Sequence, residues 1–189
     1  MKINSIITER IKESIEVKNR ILSDDALLMK IQEASDIVRN ALLKGNKILL
    51  CGNGGSASDA LHIAGEFVGR FQKDRHSLPA ICLNADVATL TSIANDFGYD
   101  HVYERAVEGY SEPGDVLIGI STSGNSGNVL KAMEKASELG IKTIALAGKD
   151  GGKMKSLADV ALVVPSDCTA RIQESHITIG HIICELVEE

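Results

Sequence analysis

The stretch Val116-Leu117-Ile118-Gly119-Ile120-Ser121-Thr122-Ser123-Gly124-Asn125-Ser126 decides the fold. Its apolar half reads as a buried strand, and a helical pattern begins near Asn128. Between them lies a turn of serines, a threonine and a glycine. A strand-to-helix junction exposes backbone N–H groups and the positive end of a helix dipole, which together make an anion site. Hydroxyls at Ser121, Thr122, Ser123 and Ser126 can donate to several phosphate oxygens at once. No Lys follows the turn, so it is not the phosphate loop of a nucleotide hydrolase. It suits a sugar phosphate. The alternative is an ordinary Ser/Gly-rich turn.

Outward from this junction the same unit repeats. Ile48-Leu49-Leu50-Cys51 is a strand, followed by Gly52-Asn53-Gly54-Gly55-Ser56 and a predicted helix through Phe71. Further strands are expected at 80–83, 141–147 and 160–164, with helical stretches near 87–94 and 102–110 and a last helix from about Thr169. Strands alternating with helices imply a five-stranded parallel sheet covered on both faces, a flavodoxin- or Rossmann-like three-layer α/β fold. Ligands in such folds bind outside the carboxyl ends of the strands, where the turns at 52–56 and 121–126 both fall. Residues 1–45 are expected as two amphipathic helices belonging to the same domain as 46–189. Ile3, Ile6, Ile7, Ile11 and Ile15 share one face of the first helix. Ser23 or Asp24 can cap the second, which stops near Gly45. Their apolar stripes can pack on the domain itself, on copies of the chain, or on both.

Composition narrows the partners. A net charge of −6, aromatics at 3% and no Trp speak against nucleic acid. No apolar run approaches membrane-span length and no signal-peptide core is present, so a cytoplasmic protein is expected. Cys51, Cys82 and Cys184 sit in apolar runs as small core residues, and the four cysteines form no C-x-x-C pair.

Titratable residues cluster on two predicted helices. His62 and Glu66, four apart, share a helix face; an ordinary His–Glu pair is the plain alternative. Arg70 would fall one further turn along that face, pairing Glu66 or reaching substrate. In the final helix Gln173 and His181 are eight apart, roughly 80° around the axis, so one wall could receive both. His176 points elsewhere. Two His, a Glu and a Gln could gather a divalent metal of the zinc type, although no compact zinc signature is present. Asn95-Asp96-Phe97-Gly98 would place polar side chains at a loop, and Gly148-Lys149-Asp150-Gly151-Gly152 a second loop at the same sheet edge.

Taken in order, 51–56, 62–66, 95–98, 119–126, 148–153 and 171–174 resemble the sugar isomerase (SIS) domain family, and within it the phosphoheptose isomerase branch. The resemblance implies isomerisation of sedoheptulose 7-phosphate to D-glycero-D-manno-heptose 7-phosphate, in a homotetramer with active sites shared between subunits. It places His62, Glu66, Gln173 and His181 at zinc positions, one zinc per subunit. It places Asn53, Gly54, Gly55, Glu66, Asn95, Asp96, Ser121, Thr122, Ser123, Ser126 and Gln173 at substrate positions, with Ser56 and Arg70 as further contacts. Some members carry Asp before the Arg-Ile-Gln stretch, where this chain has Ala170, so that carboxylate's role does not carry over.

A ketose-to-aldose change moves a proton between neighbouring carbons through an enediol. Glu66 is the candidate base and His181 the candidate acid, while a metal on the same residues could polarise the oxygens instead. A non-catalytic SIS protein of the replication-initiator-associating type, acting by protein binding, is the second reading. An SIS regulator or an isomerase for an amino sugar phosphate is the third. Retention of Glu66, Gln173 and His181 with the full serine turn favours the heptose enzyme.

Overall fold

The computed structural model describes residues 4–189, so Ile3 lies outside it. The chain opens with helices α1 (Ser5–Leu22) and α2 (Asp25–Leu43), then runs β1 (Ile48–Gly52), α3 (Gly55–Val68), β2 (Ala80–Cys82) and α4 (Val87–Phe97). A single 3₁₀ turn, Tyr99–His101, leads into α5 (Val102–Tyr110), β3 (Val116–Ser121), α6 (Gly127–Glu138) and β4 (Lys142–Gly148). A one-turn α7 (Met154–Leu157), β5 (Val160–Val164) and α8 (Thr169–Glu188) complete it.

All five strands are parallel, in the order β2-β1-β3-β4-β5. The two-residue side-chain period of a strand divides the core into two layers. Ile48, Leu50, Ile118, Ile120, Ile144 and Leu146 point toward α2, α3 and α8. Leu49, Cys51, Leu117 and Ala145 point toward α4, α5 and α6. Both faces are covered, which is why the strands read as continuous apolar runs. Cys51, Cys82 and Cys184 are buried, as their apolar settings imply.

Asp24, not Ser23, caps α2: its side chain accepts the Leu27 N–H at 3.0 Å. Helix α2 is anchored in the core through Leu27, Ile31, Ala34, Val38 and Ala41. Helix α1 inserts only Val17 fully, while Ile6, Ile7, Ile11 and Ile15 remain 54–57% exposed. Of the two expected destinations for that stripe, the domain itself does not cover it. No helix of the described residues is long and apolar enough to cross a membrane.

Two expected boundaries move. Helix α3 ends at Val68, with Gly69 at its C-cap in a non-helical conformation (φ −77°, ψ −106°), instead of running on through Phe71. Helix α4 continues to Phe97, so Asn95 and Asp96 belong to its last turn and not to a loop. Gly98, at φ +91°, is what stops it.

Candidate active site

The strand order reverses direction between β1 and β3, which is where an open α/β sheet has its ligand crevice, outside the carboxyl ends of the strands. The turns at 52–56 and 121–126 form its two walls. On the first wall Gly54 precedes α3 at φ +57° and ψ −123°, a conformation open to glycine, and nothing lies within 4 Å of where its Cβ would be. A Cβ on Gly55 would meet the Gln173 amide at 2.5 Å, so the α8 side chain rests directly on the head of α3. Ser56 is buried beside them.

Asn53 is locked across the crevice by Asn128, a buried residue of α6. Asn53 Nδ2 donates to Asn128 Oδ1 at 2.8 Å, and Asn128 Nδ2 donates back to Asn53 Oδ1 at 3.0 Å. The Tyr99 hydroxyl donates to the same Asn53 Oδ1 at 2.9 Å. Behind it, Tyr103 donates to the Gly52 carbonyl at 2.6 Å and Asn84 does so at 2.8 Å. The second Asn53 amide N–H has no acceptor among the described residues.

On the second wall the hydroxyls converge. Ser121 Oγ lies 2.8 Å from Ser126 Oγ and 3.4 Å from Ser123 Oγ. Ser126 stands at the N-cap of α6 but caps nothing, and α3 also starts without a side-chain cap. Asn4, Asp24 and Asp86 cap α1, α2 and α4, while α5, α7 and α8 also start without a side-chain cap. In the first turn of α6 the Val129 N–H is taken by Asn128 Oδ1, and in α3 the Ser56 and Ala57 N–H groups are taken by the Asn53 and Gly54 carbonyls. The N–H groups of Gly127 and Asn128 have no acceptor among the described residues and are left for an anion. The 148–153 loop fastens this turn from behind: Met154 N–H donates to Gly124 O at 3.0 Å and Lys153 N–H to Asn125 Oδ1 at 3.1 Å.

A second group forms where α3 and α8 run side by side in the same direction. His62 Nε2 lies 2.9 Å from Glu66 Oε1 and 3.3 Å from His181 Nε2. Ligand atoms of the three residues all lie within 4.8 Å of one another. A neutral imidazole N–H on Nε2 can bridge these atoms, and a metal ion can take its place. Tetrahedral zinc bonded to two imidazoles holds their nitrogens roughly 3.3 Å apart, so the residues present suit zinc. Gln173 faces α3 as its spacing from His181 predicts, but its amide sits against Gly55 and makes no hydrogen bond to the three. Asp59, one turn before His62, was not singled out by sequence. Its Oδ2 is buried without a partner, and desolvation raises its carboxyl above the usual range while His62 opposes the shift.

Among the described residues, the remaining candidates make no hydrogen bond to the crevice residues or to the His–Glu–His cluster. Arg70 does not extend the His62–Glu66 face, because α3 has already ended; it is exposed. Arg75 takes the place beside Glu66, donating from Nη2 to the Glu66 carbonyl at 2.9 Å and from Nη1 to the Phe67 carbonyl at 3.0 Å. Asn95 and Asp96 are exposed on α4 and bond to each other at 2.8 Å. Ala170 is exposed in the first turn of α8. His176 is fully buried, its Nε2 2.9 Å from the Ala147 carbonyl, and burial pushes its pKa down to about 4. It is a neutral core histidine, turned away from the site.

Comparison with known proteins gives the family. The SIS domain family model matches residues 11–148. The chain is 53% identical over 185 residues to the phosphoheptose isomerase of Clostridium acetobutylicum, covering 98% of this chain and 94% of that protein. It is 59% identical over 165 residues to that of Nitratiruptor sp., covering 87% and 88%. Its fold superposes on the structure of the phosphoheptose isomerase from Neisseria gonorrhoeae with a TM-score of 0.92 at 41% identity, covering 97% of each chain. With its serine-walled crevice and its His–Glu–His cluster, the chain belongs to the SIS domain family and, within it, to the phosphoheptose isomerases.

Proposed function

We propose that the protein converts sedoheptulose 7-phosphate to D-glycero-D-manno-heptose 7-phosphate in the cytoplasm, the first step toward ADP-heptose for bacterial surface polysaccharide. The observation that carries this reading is the convergence of His62, Glu66 and His181 on α3 and α8 beside a phosphate-suited crevice.

The crevice binds. Ser121, Thr122, Ser123 and Ser126, with the free N–H groups of α6, hold the phosphate, and Asn53, Gly54, Gly55 and Ser56 form the facing wall. Fixing the phosphate sets where the far carbons fall, which is catalysis by positioning. Glu66 Oε1 is engaged with His62, but its Oε2 has no partner among the described residues and is the oxygen free to act. It takes the proton from C1 of the ketose and returns it to C2, while His181 moves a proton between the neighbouring oxygens, so that an enediol forms and collapses. Glu66 thereby serves as both ligand and base, one oxygen for each role. His62, Glu66 and His181 would hold zinc, with Gln173 as the fourth ligand. Bound there, zinc would polarise the sugar oxygens and stabilise negative charge on the enediol.

We further infer a homotetramer whose active sites are shared. Two features support it: the exposed isoleucine stripe of α1, and the exposure of Arg70, Asn95 and Asp96, substrate positions by resemblance that the single chain leaves open to solvent. The decisive experiment is isomerisation of sedoheptulose 7-phosphate by purified protein with zinc supplied and with a chelator. Conversion that the chelator abolishes is expected. No conversion with zinc supplied would move the protein to the non-catalytic, protein-binding class.

A further inference from the structure

We propose that Phe71 is a positioning residue that holds the His181 imidazole against His62, and that Glu188 and Arg75 exist to keep Phe71 there; this rests on the reading of His181 as a site residue. The His181 ring is held on two sides. His62 meets it edge-on, centroids 5.0 Å apart at 70°, and Phe71 stacks on it, centroids 5.2 Å apart at 25°. Both separations fall within the range of favourable ring pairs. A half-exposed histidine on a helix has several rotamers open to it. Stacking disfavours those that swing the ring away, leaving Nε2 aimed at the cluster.

Phe71 lies beyond the end of α3, in a segment with no regular structure of its own, so something else must fix it. Glu188, in the last turn of α8, does so. Its Oε1 accepts the Phe71 N–H at 3.0 Å and its Oε2 accepts the N–H groups of Gln72 and Lys73, each at 2.9 Å. Arg75 Nε donates to Glu188 Oε1 at 2.8 Å, and the Glu188 side chain is 1% exposed. Four donors converge on one buried carboxylate. The Arg75 guanidinium meanwhile reaches the carbonyls of Glu66 and Phe67. One Arg–Glu pair therefore joins the end of α3, the end of α8 and the loop that carries Phe71. The residues it joins include Glu66 and lie one turn or two from His181.

A second-layer contact that orients a metal-binding histidine changes metal affinity or activity by roughly 10–100-fold. The test compares Phe71→Leu, which keeps apolar bulk, with Phe71→Tyr, which keeps the ring. Three quantities are read on the full-length protein: zinc retention against a chelator, kcat and KM for sedoheptulose 7-phosphate, and the His181 ring-proton shift in histidine-labelled protein, assigned with His181→Gln. Phe71→Leu should lose the ring-current shift, hold zinc about 10-fold less tightly and turn over about 10-fold more slowly at nearly unchanged KM. Phe71→Tyr should restore all three. If Phe71→Leu does not fold, Phe71→Met makes the same comparison. A ringless variant with unchanged His181 shift and zinc retention, or a Tyr variant as impaired as the Leu one, overturns the inference. An inactive wild type that still shows the shift and its dependence on the ring would sink the isomerase reading and support the positioning role.

Discussion

At the scale of single residues, two similar-looking histidines of α8 have opposite fates. His181 stays half-exposed beside Glu66, whereas His176 is buried and kept neutral by desolvation. The burial has a consequence for stability. His176 is lowered from 6.5 to about 4, so between those values the unfolded chain binds a proton that the native protein does not. Its contribution is therefore fully present above pH 6.5 and is lost as pH falls toward 4. Thermal midpoints should fall across that window, and His176→Gln should flatten this part of the profile; a parallel, unflattened profile would assign the loss to other groups. For Glu66 the expected result is chemical. Glu66→Gln should retain bound zinc through its amide oxygen yet lose turnover by roughly 10²–10⁴-fold, the usual weight of a general base. Near-normal turnover with zinc still bound would remove the base role and leave Glu66 a ligand only.

At the scale of elements, the crevice depends on two glycines with different neighbours. A methyl at Gly55 would press on the Gln173 amide, the mobile end of a flexible side chain. Gly55→Ala should therefore displace Gln173 and lower activity while the thermal midpoint moves by only a few degrees, as checked by melting and kinetics together. A methyl at Gly124 would lie 2.0 Å from the backbone carbonyl of Gly151, on a residue at φ +64°. Nothing there can step aside, so Gly124→Ala should part the serine turn from the 148–153 loop, raising KM for the sugar phosphate at least ~10-fold and destabilising the fold by ~1–3 kcal/mol. Wild-type KM would show that the turn does not hold the phosphate. These elements were legible in the sequence because parallel strands covered on both faces are unbroken apolar runs, and because glycine and serine marked the turns after β1 and β3. The end of α3 was not legible. Its terminal carbonyls are satisfied by Arg75, and Arg75 is held by Glu188, which is 113 positions distant; no local pattern announces such a partner. The same holds for Asn128, whose role opposite Asn53 appears only once β1 and β3 lie side by side. His62, Glu66 and His181 could be listed as candidates from spacing and resemblance, but their meeting at one point required the parallel course of α3 and α8.

At the scale of the whole molecule, the isoleucines of α1 set the remaining question, because an isolated subunit does not need them. Ile11 and Ile15 are 57% and 54% exposed, and α1 is held to the body by Val17 and by Arg171, which donates to the Arg10 carbonyl at 2.8 Å. Fully burying an isoleucine is worth about 1.5–3 kcal/mol, and these side chains are already partly covered, so each would contribute about half of that in an assembly. Symmetry repeats the contribution in every copy. A carboxylate at the same place must be desolvated opposite its own symmetry mates, which reverses the sign of the contact. If the protein is the proposed tetramer, Ile11→Asp with Ile15→Asp should therefore leave the helical content and fold of the subunit intact while sedimentation shows a smaller species than the wild type. If the sites are shared between subunits, activity should fall with assembly and recover at protein concentrations that restore it. Full activity from a dissociated subunit would show that each crevice and its His–Glu–His cluster work within one chain, and that α1 serves assembly alone.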